Sequence, residues 1–239
     1  MTPVLQVDDR NLKTDEIIPL LKRYGILPQL VREMILEQIL DKFVLTQEET
    51  MQAYKLFYQE HQLHSEVELQ AWLVAHGLER EHLDYLAIRK VKLESFKRTT
   101  WKDKLKPYFI QRKAKLDQVI YSLIRVKDVG LAQELYFRIQ EKEQSFGELA
   151  SKYSQGAEAY TGGVLGPIEL GATHPLLANL LTSAQPHQLL PPTRLGEWIV
   201  IVRLEKLLPA TLNEIMQQRL MNELFESWLK AQITASLHA

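Results

Sequence analysis

Apolar residues in the first half of the chain recur at steps of three and four, the period of a helix with one buried face. Val31, Met34, Ile35 and Ile39 mark one such stripe, and Gln38 lies on the same run. Trp72, Leu73 and Ala75 belong to another, and Leu83, Leu86, Ile88, Val91 and Leu93 to a third. The pattern predicts helices near 14–24, 28–45, 47–61, 66–76, 79–97 and 101–112. Their ends carry the expected local chemistry. Thr46 with Glu49, Ser65 with Glu68 and Thr211 with Glu214 have capping-box spacing, in which a hydroxyl and a carboxylate satisfy the first free N–H groups. Pro28 suits a first helical turn, and Gly25 and Gly77 suit helix ends.

The period changes near residue 117. Gln118–Val126 is rich in Val, Ile and Tyr and reads as a strand. Helices near 129–142 and 145–153 follow, then a glycine-rich turn at 162–166 and a short strand near 164–168. A helix near 173–184 leads to Pro191-Pro192, read here as punctuation, and to a last strand over 197–206. Thr211 then begins a long amphipathic helix to about 236, with Leu212, Ile215, Met216, Leu220, Leu224 and Trp228 on one stripe expected to pack against the amino-terminal helices. The fold class is α+β, an alternating unit bracketed on both sides by helix.

Composition narrows the chemistry. A formal net charge of −1 gives no global pull toward nucleic acid. The segment from Lys90 to Lys115 is basic and interleaved with Phe96, Trp101, Tyr108 and Phe109, but its aromatics are expected in the core and its cations on a solvated face. There is no cysteine, which excludes disulfides, thiol catalysis and cysteine-bound zinc. His61 and His64, near Glu60 and Glu66, have a spacing that arises readily by chance, and no metal or cofactor is expected. The first twenty residues hold Asp8, Asp9, Asp15 and Glu16 rather than a basic start and an apolar run, so a cytoplasmic location is expected. No stretch approaches the roughly 18 consecutive apolar residues of a membrane span.

An ordered series of motifs carries a resemblance. After the strand Ile120–Val126 comes Ser145-Phe146-Gly147-Glu148-Leu149-Ala150, running to Tyr153-Ser154. Gly162-Gly163-Val164-Leu165-Gly166, His174-Pro175-Leu176 and Gly196-Glu197-Trp198-Ile199-Val200-Ile201 follow. This segment resembles a parvulin domain, a peptidyl-prolyl isomerase with an FKBP-like antiparallel sheet, and the flanking helices resemble the helical domain of SurA and PrsA. The resemblance implies a helical domain of 1–113 completed by 209–239, interrupted by an isomerase domain of 114–208.

An isomerase must lower a barrier of roughly 18–20 kcal/mol to rotation about the X–Pro amide. It needs an apolar pocket for the pyrrolidine ring and groups that favour the twisted state over the planar one. Parvulins usually place one histidine on the first strand, a second on the last, and a cysteine or aspartate between. The resemblance puts Tyr121 and Ser122, Gln155 or Gly156, and Trp198 at those positions. Tyr121, Ser122 and Trp198 are the expected catalytic residues, and Leu165, Thr173, Leu176 and Gln155 the expected substrate contacts. Lys127 beside Asp128 is too little to cradle a phosphate. The function implied is a slow isomerase and foldase acting on unfolded or proline-containing peptide clients. The alternative is a non-catalytic peptide-binding chaperone or adaptor, and a peptide secretion or maturation system is a further partner the resemblance admits.

Overall fold

The computed structural model describes residues 5–7 and 10–238, with side chains from Lys13 to His238. Two short strands, β1 (Leu5–Val7) and β2 (Arg10–Leu12), pair antiparallel, followed by α1 (Thr14–Arg23), α2 (Leu27–Leu40), α3 (Gln47–Glu60), α4 (Glu66–Ala75) and α5 (Glu81–Trp101). Then come α6 (Leu105–Leu116), β3 (Gln118–Val126), α7 (Val129–Gln140), α8 (Phe146–Tyr153), β4 (Val164–Glu169) and α9 (Pro175–Ser183). The chain ends with β5 (Leu189–Leu195), β6 (Trp198–Leu208) and α10 (Glu214–His238). It divides into two units, Met1–Leu105 with Gln217–Ala239, and Lys106–Met216. Helix α6, grouped by the sequence pattern with the helical domain, lies almost wholly in the second unit.

In the helical unit, α3, α4 and α5 enclose Phe57, Leu69, Leu73, Leu83 and Ala87, while α2, α5 and α10 enclose Leu36, Trp101, Phe225 and Leu229. The last helix thus completes a core begun some two hundred residues earlier. Arg32 to Glu226 and Lys97 to Asn222 tie it to α2 and α5. Its buried stripe is Leu220, Met221, Phe225 and Leu229; Ile215, expected on the packed stripe, is 81% exposed. Phe96 and Trp101 pack around Phe225 and Trp228, and Phe109 is buried in the second unit, so these aromatics of the basic segment offer no stacking platform. Among the described residues no helix is long and apolar enough to cross a membrane, and no group of three or more metal-ligating side chains is assembled. The His61 ring packs at a tilt against Phe57 and Trp72.

The capping chemistry holds in part. Thr46 and Glu49 form the reciprocal box, and so do Ser145 and Glu148 at α8. Ser65 accepts from the Glu68 N–H, but Glu68 reaches the N–H of His64 rather than that of Ser65. At α10 the cap is Asn213, whose Oδ1 accepts from Met216 N, so the helix starts two residues later than the Thr211 box would have it.

The second unit is a four-stranded antiparallel sheet of order β4-β3-β6-β5 between two helical layers. Ile124, Val126, Ile199 and Ile201 face α7 and α8 through Ala132, Leu135, Phe146 and Leu149. Val119, Tyr121, Leu123, Val200, Val202 and Leu204 face the other way, against Leu170, Leu177 and Leu181 from α9 and the turn before it. Strand β5 is a correction to the sequence pattern, which took Pro191-Pro192 as a break. The strand lies at the sheet edge, and its ladder to β6 shifts register between Leu190 and Thr193, where the two prolines, which donate no backbone hydrogen bond, sit. Helix α7 starts at a side-chain cap, Asp128 Oδ1 accepting from Leu131 N at 2.6 Å. Asp128→Ala is expected to cost about 1 kcal/mol and Asp128→Asn little, read as a shift in urea midpoint at unchanged slope.

Candidate functional site

Pairing across the sheet decides which side chains meet on the α9 face, because directly paired residues point the same way and neighbours along a strand point oppositely. Tyr121 pairs with Leu165 of β4 and Leu204 of β6; Leu123 pairs with Val202; Arg125 pairs with Val200; Trp198 pairs with Leu195 of β5. Leu165 and Trp198 pack at the margin of this cluster, half-buried. Leu123, Val200, Val202 and Leu177 are packed into one buried core between the sheet and α9, with Leu165 and Trp198 half-buried at its margin and Tyr121 and Arg125 in the same row on β3.

The face carries one charged group with its own counter-ion. Glu158, in the 3-10 turn Ala157–Thr161, is 1% exposed. Arg125 grips it side-on, donating Nε–H to Oε1 at 2.8 Å and an Nη2 proton to Oε2 at 2.6 Å. Ser154 Oγ donates to Oε1 at 2.5 Å and accepts from Arg125 N at 3.0 Å. Burial disfavours the Glu158 carboxylate, but the hydrogen bonds from Arg125 and Ser154 outweigh it and hold its pKa below the ordinary carboxylate value. Tyr121 is pushed up, first by burial and then by the nearby Glu158 charge, with Arg125 acting in opposition. The Arg125 guanidinium lies 5.9 Å from the Trp198 ring centroid, and Lys127 Nζ, paired with Glu197, lies 4.9 Å from the same ring.

Two glycines make this possible. A Cβ on Gly156 would fall 2.0 Å from Arg125 Nε, so the guanidinium occupies the space that any side chain at 156 would need. Gly163, at φ +86°, donates its N–H to Glu158 O and accepts from Leu123 N, joining the turn to β3.

Of the residues expected from sequence, Tyr121, Leu165 and Trp198 are brought to one face. Ser122 is not. It lies on the opposite face, buried, with Oγ donating to Glu205 Oε1 at 2.5 Å in a cluster with Arg203, so strand alternation gives Leu123 the place beside Tyr121. Leu176 is 51% exposed, and its neighbour Leu177 packs into the core between α9 and the sheet. Thr173 is half-buried in the turn before α9 and bonds Leu170 O. Gln155 is exposed and contributes only its N–H, to Arg125 O. Arg125 and Glu158 were missed. The available signal was an arginine inside a run of Ile, Val and Leu, with a lone carboxylate between alanines in the turn facing it.

With this geometry established, the comparisons are specific. Residues 127–206 match the family model described as Rotamase: PPIC-type PPIASE domain. The crystal structure of a peptidylprolyl isomerase (PrsA) from Bacillus cereus is similar over 99% of this chain and 91% of its own, at 19% identity and a TM-score of 0.53. The foldase protein PrsA from Streptococcus pneumoniae matches over 98% of this chain and 93% of its own, at 13% identity and a TM-score of 0.46. The parvulin domain of PpiD from E. coli matches over 41% of this chain and 95% of its own, at 25% identity and a TM-score of 0.35. No curated protein matches the chain by sequence. The chain therefore carries a parvulin domain of the PPIC type over residues 127–206, in a fold it shares with PrsA.

Proposed function

We propose that this protein is a peptidyl-prolyl isomerase and foldase of low turnover, acting on proline-containing segments of unfolded clients. The observation that supports the reading is the apolar margin formed by half-buried Leu165 and Trp198 on one sheet face, with Tyr121 and Arg125 in the same row. Such a site can take a pyrrolidine ring and strip water from its amide, which strengthens every polar interaction made there. Turnover is expected to be slow because neither position at which the resemblance expects a histidine, Ser122 with Tyr121 on the first strand and Trp198 on the last, holds an imidazole. Clients met in the cytoplasm, with hand-over to a secretion or maturation system, form part of the same proposal, and cell fractionation tests the location.

A second reading, peptide holding without catalysis, is favoured by a groove in the helical unit of about 700 Å³, with Leu36, Ala53, Phe57 and Leu86 among its lining. The two separate in one assay, proline cis–trans exchange measured by NMR on short X–Pro peptides. Acceleration by the wild type, reduced at least tenfold in a folded Leu165→Ala, Trp198→Ala variant, is the expected result. Peptide binding with no acceleration would replace the isomerase reading by the holding one.

A further inference from the structure

The side-on grip of Glu158 uses two of the five N–H donors of Arg125. The remaining three, both protons of Nη1 and one of Nη2, have no partner among the described residues. The side chain is 34% exposed and shares the row of Tyr121 and Leu123 on β3. The guanidinium is also fixed. Glu158 holds one edge, the Trp198 ring lies alongside, and the missing side chain at Gly156 provides the room.

We propose that Arg125 is a catalytic residue, donating an Nη1 proton to the prolyl nitrogen as the amide twists. This deepens the isomerase reading and rests on it. In a planar amide the nitrogen lone pair is delocalised into the carbonyl and accepts no hydrogen bond. Rotation by 90° breaks that overlap and leaves an amine-like lone pair, so a donor aimed at nitrogen binds the twisted state and hardly touches the planar one. That is the differential binding catalysis requires. A donor to the carbonyl oxygen would act the other way, because the oxygen gives up negative charge during the twist. A guanidinium neutralised by Glu158 remains a strong, pre-oriented donor at little cost in reorganisation. Proton transfer is not involved, and no bond is made or broken beyond the hydrogen bond itself.

The proposal predicts a split between rate and affinity. The full-length Arg125→Met, Glu158→Gln protein removes both charges together and keeps the volume nearly constant. Arg125→Lys keeps the ion pair but lacks the second arm of the fork, and serves if the double variant does not fold. NMR exchange rates at saturating X–Pro peptide, with affinities from the same titrations, give both quantities. The expected result is a fall of at least tenfold in the exchange rate of the folded variant, with peptide affinity within about twofold of wild type. A folded variant that exchanges the peptide as fast as wild type overturns the assignment and leaves the isomerase reading intact. Equal losses in rate and affinity also overturn it, because they report a ground-state contact. A wild-type protein that accelerates nothing overturns both.

Discussion

Replacing Arg125 alone by alanine is expected to destabilise the PPIC-type domain by about 3–5 kcal/mol, because it strands a carboxylate away from water. Glu158 is 1% exposed, and its remaining partners, Ser154 and the backbone around the turn, carry no positive charge. The reverse substitution, Glu158→Ala, leaves the charge on a side chain that is 34% exposed and can turn toward solvent. It is expected to cost less, about 1–3 kcal/mol. The Arg125→Met, Glu158→Gln pair should cost less than the sum of its singles, since a buried ion pair contributes little net stability over neutral groups of similar volume. Thermal or urea unfolding of the full-length protein, followed through a signal from residues 106–216, checks the order. Equal losses from the two single substitutions would show that burial of the carboxylate does not govern the site.

The same pair sets an acid limit. The folded Glu158 pKa is depressed, so its contribution is fully present above the unfolded value of about 4.3 and is lost as pH falls through the lower folded value. Wild type should therefore lose stability below about pH 4 more steeply than the neutral double variant. Glu205 adds to the wild-type slope and is common to both proteins: burial opposes its charge, but Ser122 and Arg203 hold its pKa low.

Most elements were legible because helix and strand periods survive without knowledge of neighbours. The helices of the first unit and strand β3 follow directly from recurring Leu, Ile and Val. What failed on the elements that were found was phase. Tyr121, Ser122 and Leu123 are all buried, so composition does not show which of them faces α9; the pairing with β6 does. Leu176 and Leu177 are chemically identical, and about 100° of helical rotation separates the exposed one from the buried one. The α10 cap moved from Thr211 to Asn213 because both side chains can cap and only the packed start of the helix selects one. Strand β5 was hidden because proline argues against a strand unless the strand is known to be an edge, which is a property of the whole sheet. The Arg125–Glu158 pair was hidden for a related reason. Thirty-three residues separate its members, and its geometry depends on the absence of a side chain at Gly156.

Gly166→Ala is expected to cost on the order of 4 kcal/mol from backbone strain and overpacking together. Its φ of +111° lies where an L side chain is rarely found, and a Cβ would sit 2.4 Å from Val119 O and 3.1 Å from Ile120 Cα. Both obstacles are backbone of the central strand β3, which cannot swing aside as a flexible side chain could. The strain falls where the ladder between β3 and β4 already shifts register, between Val119 and Tyr121, and where Leu165 enters the site. Relief therefore means separating β4 from β3, with loss of the wall that Leu165 provides. Gly196→Ala is the matched control. It also has positive φ, +64°, but no atom lies within 4 Å of its Cβ, so the expected cost is the left-handed penalty alone, about 1–2 kcal/mol. Paired unfolding curves for the two variants separate the contributions. A Gly166→Ala protein no less stable than Gly196→Ala would mean that β4 can leave the sheet without disturbing it, and that the wall at Leu165 is not built by the glycine turn.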